Sequence, residues 1–251
     1  MKTIFINCSP KKSFCASSYF ITLERLFVSG EKVTEHLRSN TDSKPILRQL
    51  ENADAVVFAL PLYVDGIPAH VLHFMEELEQ FCREKDLNFG VYCIANIGFI
   101  EGRQNEPLMQ VFENFCARSG LRWGGGTGIG GGVMLNVTRI LFVVKVALTL
   151  LNMVLSGVQT GNFFPKDVLI DFAESALILL FFNLGVLFYL AQMGSAIRHG
   201  SFFGKKYTRI LIPSFIFIIF ADIFFIIYST IKGGIFRGWL AKKQITDERW
   251  N

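Results

Sequence analysis

Residues 9–18 form a polar segment whose side chains suit an anion. The segment reads S-P-K-K-S-F-C-A-S-S and lies between a short apolar run and a helix-like pattern. A helix N-terminus presents free N–H groups and a partial positive charge. The hydroxyls of Ser9, Ser17 and Ser18 and the charge of Lys11 would add to them. The segment is a sensible phosphate cradle, although it lacks the Walker and G-x-G-x-x-G patterns. Helix capping by Ser17 or Ser18 alone explains the same residues.

Residues 60–68 form a second segment of chemical interest. It reads L-P-L-Y-V-D-G-I-P, and its two prolines and one glycine favour a rigid turn. Tyr63 would place a flat aromatic surface beside backbone N–H groups, which suits the edge and face of a planar heterocycle. An ordinary connection between a strand and a helix is the alternative interpretation.

Strands and helices alternate along the first half of the chain, and they must position these segments. The alternation predicts an α/β fold with a doubly wound, parallel, five-stranded sheet and right-handed crossovers. The predicted strands are 2–7, 33–37, 55–59, 88–96 and 127–129, and the predicted helices are 17–28, 45–50, 68–85 and 106–119.

Ligands in such a sheet bind at the carboxyl ends of the strands. The loops 8–16, 60–67 and 97–105 are therefore expected to form one site. Residues 136–157 are apolar apart from Arg139, Lys145 and a few uncharged polar residues. We expect them to form the fifth helix that packs on the sheet, with a membrane span as the alternative.

The same residues resemble the NAD(P)H-dependent FMN reductase family of the flavodoxin-like superfamily. Ser9-Pro10-Lys11, followed by Ser17-Ser18-Tyr19, resembles the family's S-P-R-x(n)-S-x-S phosphate loop, with Lys where Arg is usual. Residues 53–69 are similar to its A-D-x-[IV]-[IV]-[FL]-x-x-P-[LVI]-Y-x-x-x-x-P-[AG] segment, and N-I-G-F at 96–99 looks like the loop after its fourth strand. The resemblance covers roughly residues 1–160 and predicts a flavodoxin-like fold.

This resemblance implies FMN as a non-covalent cofactor and NADH or NADPH as the electron donor. Hydride would pass from the nicotinamide to the flavin and on to an acceptor, without an acid or base from the protein, so no catalytic residue is assigned. The resemblance is also compatible with a homodimer. By this carry-over the phosphate would be held by Ser9, Lys11, Ser17 and Ser18, the isoalloxazine would be bordered by Pro61, Leu62, Tyr63, Val64 and Gly66, and its far edge would be closed by Asn96, Gly98 and Phe99.

The five cysteines indicate a reducing compartment. Their number is odd, no C-x-x-C pair occurs, and the four histidines do not cluster with them. We therefore expect neither a zinc nor an iron–sulfur site, and we expect Cys8 and Cys15 to be small structural thiols. The N-terminus lacks the long apolar core of a secretory signal, which predicts a cytoplasmic N-terminal domain.

Charge and hydropathy divide the chain into two unlike halves. The chain has 251 residues, of which 51% are hydrophobic and 18% charged. This composition excludes a disordered chain and a disulfide-stabilised mini-protein. Residues 1–135 carry a net charge of −2, and residues 136–251 carry +6. The basic half also contains long uncharged runs.

Two of these runs are long enough to cross a bilayer, which needs about 20 residues. Ser175–Ile197 is uncharged, and Ile210–Ile231 contains only Asp222. In the second run, apolar residues contribute about −7 kcal/mol against about +3 for a central Asp. We therefore expect a transmembrane hairpin, with a buried soluble hairpin as the alternative. Asn183 and Asp222 would join its helices, or else form a quinone or proton site.

The basic residues around this hairpin conflict with the expected orientation. Residues 194–209 would form a loop of charge +4 outside the cell, and the tail with Arg237, Lys242 and Lys243 would be cytoplasmic. A re-entrant hairpin or a shielding partner are the alternatives.

The sequence thus predicts an FMN-binding domain over 1–160 and a membrane-associated hairpin with a basic tail over 161–251. The expected function is a flavin-dependent oxidoreductase anchored in the cell membrane, with its flavin domain in the cytoplasm. A non-enzymatic protein that uses this domain for docking or redox sensing is the alternative. The expected partners are nicotinamide and flavin nucleotides and membrane lipid, and no nucleic acid.

Overall fold

One parallel sheet organises most of the residues that the computed structural model describes, which are 1–11, 14–63 and 66–234. Val64 and the basic tail beyond residue 234 lie outside this description. The strands are β1 (Lys2–Asn7), β2 (Glu31–His36), β3 (Ala55–Pro61), β4 (Gly90–Asn96), β5 (Arg122–Gly130) and β6 (Gly204–Arg209). They lie in the order β2-β1-β3-β4-β5-β6, and every neighbouring pair is parallel. The first five follow the flavodoxin-like order 2-1-3-4-5. The expectation of five strands is corrected to six.

Helices connect the strands as the alternation predicts, and the first four lie within one residue of their predicted bounds. They are α1 (Ala16–Phe27), α2 (Lys44–Leu50), α3 (Ala69–Lys85) and α4 (Glu106–Ser119), the last preceded by a 3-10 turn over Gly102–Asn105. The later helices are α5 (Gly132–Thr160), α6 (Lys166–His199) and α7 (Ser214–Ile231).

The first face of the sheet holds the main hydrophobic core. Strands β1, β3 and β4 are buried almost throughout, as expected of central parallel strands. Phe58 on β3 contacts Phe74 on α3 and Phe112 on α4, with ring centroids 6.4 and 5.1 Å apart. Helices α2, α3 and α4 therefore cover this face.

The glycines of β5 allow a loop to lie directly on the strand. A Cβ atom on Gly130 would stand 2.0 Å from the carbonyl oxygen of Ile100, and one on Gly128 would stand 2.8 Å from that of Gly102. No side chain fits in this space. The glycine-rich stretch is thus a strand of nine residues, longer than the predicted 127–129.

The second face is covered by α1 and by the second half of α6, so the prediction that residues 136–157 pack on the sheet is wrong. In α5 only the first turns approach the sheet, whereas α6 buries a stripe at helical spacing. Met193 accepts a hydrogen bond from Thr127 on β5, and Gly194 packs against Phe27 of α1. The buried stripe of α6 comprises Asn183, Val186, Leu190, Met193 and Ile197.

Helices α5 and α6 form an antiparallel hairpin inserted between β5 and β6. Gly161 ends α5 in a left-handed conformation, and α6 begins five residues later. An ion pair joins Lys145 to Asp171, and the rings of Phe142 and Phe172 lie 5.8 Å apart. Many other side chains of α5 and of the first half of α6 are exposed and apolar.

Strand β6 replaces the loop that was predicted over residues 194–209. These residues form the end of α6 and the edge strand, which pairs with β5. Lys205 forms ion pairs of 3.0 Å with both Glu106 and Glu113 of α4. The two runs predicted to form a transmembrane hairpin, Ser175–Ile197 and Ile210–Ile231, are therefore separated by a strand of the sheet and not by a simple loop. Basic side chains are common on exposed edge strands, where they disfavour pairing with another chain, and β6 carries such side chains.

The chain divides into a compact unit, Met1–Leu211, and a second unit, Ile212–Asn251. The boundary predicted at residue 160 falls inside the first unit, between α5 and α6. In the second unit, α7 carries Asp222, which forms no ion pair with any described residue, and the rings of Phe224 and Tyr228 stack at 6.0 Å. By length and composition alone, α5, α6 and α7 are each long and apolar enough to cross a membrane.

A carboxyl group is buried where α1 meets α6. Glu24 is fully buried, and neither of its carboxylate oxygens has a hydrogen-bond partner among the described residues. Burial raises the pKa of Glu24 well above its ordinary value of 4.5, and the nearby charge of Arg198 only partly opposes this shift. The native state therefore binds this proton more tightly than the unfolded chain does.

We predict that Glu24→Gln makes the protein more stable at about pH 8 and leaves stability almost unchanged near pH 4.5. The contribution of the protonated carboxyl is complete below the unfolded pKa and is lost as pH rises toward the folded pKa. Glutamine keeps the volume and cannot ionise. Thermal unfolding of detergent-solubilised protein across this range measures the effect. Glu84→Gln, at an exposed position on α3, is the control, and an equal shift in both variants would contradict the prediction.

Candidate functional site

Four strands end at the same edge of the sheet and bring the predicted loops together. β1 ends at Asn7, β3 at Pro61, β4 at Asn96 and β5 at Gly130, and all four are parallel. Helix α1 begins at this carboxyl edge, beside the boundary between β1 and β3. This is the switch point, where ligands bind in sheets of this order.

The loop after β1 is held by the side chain of Asn7. Its Oδ1 accepts a hydrogen bond from the backbone N–H of Ser9 at 3.1 Å, and its Nδ2 donates to Sγ of Cys15 at 3.6 Å. The hydroxyl of Ser9 accepts from the N–H of Lys11 at 3.4 Å. Ser9 is buried and Lys11 is exposed, so only Lys11 of this pair reaches solvent.

Cys15, rather than Ser17 or Ser18, is the N-cap of α1. Its Sγ accepts from the N–H of Ser18 at 3.4 Å, and the Ser18 hydroxyl donates to its carbonyl oxygen at 2.8 Å. Burial acts to raise the pKa of Cys15, but hydrogen bonds from Ser18 and Asn7 outweigh it, and this pKa lies below 9.0. By contrast, burial raises the pKa of Cys116 to about 12. The sulfur thus occupies the position that anions favour at a helix N-terminus.

Ser17 and Asn96 lie together, but beneath the loop. Nδ2 of Asn96 donates to the hydroxyl of Ser17 at 3.1 Å and to the carbonyl oxygen of Leu60 at 2.9 Å. Ser17 and Asn96 are 1% and 3% exposed. Both side chains therefore join α1, β3 and β4, and their polar atoms are used within the protein.

The turn after β3 is closed by its own backbone. Leu62 donates its N–H to the carbonyl oxygen of Asn96 at 2.8 Å, and Tyr63 and Gly66 exchange hydrogen bonds of 3.1 and 2.9 Å. These three amides are therefore not available to a heterocycle. The ring of Tyr63 stays 42% exposed and is the surface that this turn offers.

The loop after β4 places a second exposed aromatic ring at the same edge. Phe99 is 68% exposed, and its carbonyl oxygen accepts from the N–H of Gly131 at 2.6 Å. At Gly98 a Cβ atom would meet only Val133, at 3.6 Å. This loop thus lies against the first turn of α5.

Sequence reasoning missed the residues that α5 brings to the site. The guanidinium carbon of Arg139 lies 5.0 Å from the ring centroid of Tyr19 and 6.0 Å from that of Phe14. Nδ2 of Asn136 donates to the carbonyl oxygen of Phe14 at 2.6 Å. Arg139 forms no ion pair with any carboxylate of the described residues. The sequence signal that could have revealed these residues is Arg139 itself, a single cation at the start of the apolar helix that follows β5.

The phosphate end of FMN fits this edge. Ala16 and Ser17 contribute the first two N–H groups of α1, which have no acceptor within the helix, and Lys11 and Arg139 supply positive charge nearby. The ring end fits less fully, because the amides of Leu62, Tyr63 and Gly66 are already bonded. It offers the exposed rings of Tyr63 and Phe99 rather than hydrogen-bond donors.

Solved structures of flavodoxin-like proteins match the N-terminal half of the chain, whereas no protein-family model and no curated protein matches it. The Trp repressor binding protein of Bacillus subtilis is 18% identical, with a TM-score of 0.43 over 50% of this chain and 84% of that one. An NADPH-quinone reductase from P. pentosaceus is 17% identical, with a TM-score of 0.43 over 50% and 83%. General stress protein 14 of Treponema denticola, in complex with FMN, is 13% identical, with a TM-score of 0.42 over 50% and 84%.

We predict that Asn96→Ala destabilises the protein by about 2 kcal/mol. The substitution removes both hydrogen bonds that Nδ2 donates and leaves the Ser17 hydroxyl buried without this donor, and the loss of buried hydrogen bonds of this kind costs about 1–3 kcal/mol. Chemical denaturation in detergent measures the change. Asn88→Ala is the matched control, because Asn88 makes its hydrogen bond to Arg122 at the surface. Equal stabilities of the two variants would refute the supporting role of Asn96.

Proposed function

We propose that the chain is a membrane-anchored oxidoreductase that passes electrons from NADH or NADPH, through FMN, to an acceptor. The observation that carries this proposal is the N-terminus of α1, which lies at the β1/β3 switch point of a sheet with flavodoxin-like order. FMN, when bound, would supply the hydride chemistry, by accepting a hydride from the nicotinamide and reducing the acceptor.

The protein's part at the phosphate end would be to neutralise and position the anion. The amides of Ala16 and Ser17, the hydroxyl of Ser18 and the charge of Lys11 would bind the phosphate oxygens. Ser9 and the Ser17 hydroxyl would act indirectly, because both are buried and hold the loop and Asn96. When an anion binds, the Ser18 N–H would leave Sγ of Cys15 and donate to the anion instead.

At the ring end, the protein would shape and shield the flavin. Tyr63 and Phe99 would supply apolar surface, and Gly98 would allow close approach. Asn96 would hold the two loops at a fixed separation through its bonds to Ser17 and Leu60. The further residues proposed to border the ring are Pro61, Leu62, Val64 and Gly66.

Membrane anchoring is supported by the exposed apolar surface of α5, α6 and α7. Exposed apolar faces of this length are unfavourable in water and favourable in a bilayer. The α/β domain would face the cytoplasm of the cell membrane, consistent with five free cysteines.

We predict that the protein purified in detergent binds FMN and that Lys11→Glu weakens this binding about five- to tenfold. The loss corresponds to roughly 1–1.4 kcal/mol, typical of one charged contact at the surface. Quenching of flavin fluorescence on titration gives the Kd. Lys206→Glu on β6 is the matched control, and it should bind FMN as the parent does.

Stopped-flow bleaching of the bound flavin by NADH and by NADPH then tests the enzyme activity. Rapid bleaching by either nucleotide supports the oxidoreductase. A flavin that binds but is not reduced favours the docking or sensing function instead. A colourless protein that binds no added FMN would refute both the cofactor and the proposed activity.

We predict that alkaline carbonate leaves the chain in the membrane fraction. A peripheral protein is released by this treatment, whereas helices that cross the hydrocarbon core remain with the lipid. Immunoblots of pellet and supernatant measure the outcome. Release of the chain into the supernatant would contradict integral anchoring without affecting the flavin proposal.

A further inference from the structure

Two exposed phenylalanines stand at the carboxyl edge of the sheet, and both are tied to the start of α5. Phe14 is 67% exposed and Phe99 is 68% exposed. The carbonyl oxygen of Phe14 accepts from Nδ2 of Asn136, and that of Phe99 accepts from the N–H of Gly131, each at 2.6 Å. Both rings therefore lie next to the point where the hairpin leaves the α/β fold.

Phe14 is held outward at a cost to its backbone. Its φ of 49° lies in the left-handed region, which residues with a side chain rarely adopt. Burial of the ring in the protein does not offset this cost, because two thirds of the side chain faces outward. The exposed part of the ring is therefore open to an environment outside the chain.

Arg139 indicates what that environment is. It is the first charged residue of α5 and precedes the apolar stretch that begins at Ile140, in which Lys145 is the one further charge, and arginines at the end of such a stretch extend toward the headgroups. Its guanidinium contacts the rings of Phe14 and Tyr19. These rings therefore lie at the depth where the helix would enter the hydrocarbon core, and aromatic residues favour that depth.

We propose that the carboxyl edge of the sheet lies on the bilayer surface, with Phe14, and the part of Phe99 that does not face the flavin site, buried at the boundary between headgroups and acyl chains. The partner is the lipid surface itself, which is continuous with the bilayer around α5. The inference rests on the proposed anchoring by the hairpin. It implies that the loops of the candidate site open toward lipid, so an acceptor would reach the site from the membrane.

The opposite edge of the sheet provides a matched control. Phe202 is 70% exposed and lies two residues before β6, and the N–H of Phe203 donates to the carbonyl oxygen of Gly124 at the other end of the sheet. Strand β6 has six residues at about 3.3 Å each, so Phe202 lies roughly 20 Å from the carboxyl edge. The same substitution can therefore be made at equal exposure on both edges.

The test uses the full chain in phosphatidylcholine nanodiscs, with and without lipids brominated near the headgroups. Phe14→Trp, Phe99→Trp and Phe202→Trp are each compared with the parent, which has three tryptophans of its own. A side chain buried ~5–10 Å into the interface lies beside the bromine atoms, so we expect about a twofold loss of the added emission in the first two variants and none in the third. Thermal unfolding equal to that of the parent shows that each variant is folded.

If brominated lipid changes the added emission of all three variants equally, in nanodiscs that retain the protein, the proposal is overturned and the anchoring is unaffected. Failure of the chain to enter nanodiscs would overturn both. If Phe14→Trp and Phe99→Trp are shielded in detergent in a concentration-dependent way but are not quenched by brominated lipid, the surface contacts a second copy, and the lipid proposal is wrong.

Discussion

A parallel sheet must be covered on both of its faces, and this requirement determines the course of the second half of the chain. After β5, the chain first extends away as α5, so the face beside α1 is left uncovered. The second half of α6 fills this space. Val186, Leu190 and Met193 are fully buried there, and the hydroxyl of Tyr92 on β4 donates to the carbonyl oxygen of Ser201 at 2.9 Å. The length of α6 follows from its two tasks, since one end forms the hairpin and the other covers the sheet.

The same requirement accounts for the basic residues that the sequence could not place. Because α6 ends at the amino edge of the sheet, the chain continues as a sixth parallel strand. Lys205 on that strand then meets Glu106 and Glu113 of α4. The +4 segment therefore belongs to the α/β unit and is not a loop exposed across a membrane, which removes the conflict with the positive-inside rule.

Sequence patterns predicted an element correctly where a single physical cause explains its pattern of apolar residues. The alternation of apolar strands and amphipathic helices predicted the elements from β1 to α4, because each of these strands buries an apolar run and each of these helices buries one apolar face. The pattern failed at α6, because a uniformly apolar run is equally suited to a lipid environment and to a sheet face. It also failed at β6, whose polar, basic residues are typical of an edge strand and equally of a loop. At the site, the family resemblance pointed to Ser17 and Asn96 but not to the direction of their side chains, which depends on contacts made by distant strands.

The loops of the candidate site differ in one respect from the mobile connections that usually carry function. Their ends are held by buried asparagines, Asn7 and Asn96, and their tips are held by the start of α5 through Asn136 and Gly131. A rotation of α5 would break the bonds to Phe14 and Phe99 before it disturbed the sheet, because the sheet is fixed by its own ladder and by α6. The geometry of the loops and the orientation of the hairpin are thus set by the same few hydrogen bonds. The candidate site therefore shares its supporting hydrogen bonds with the base of the hairpin.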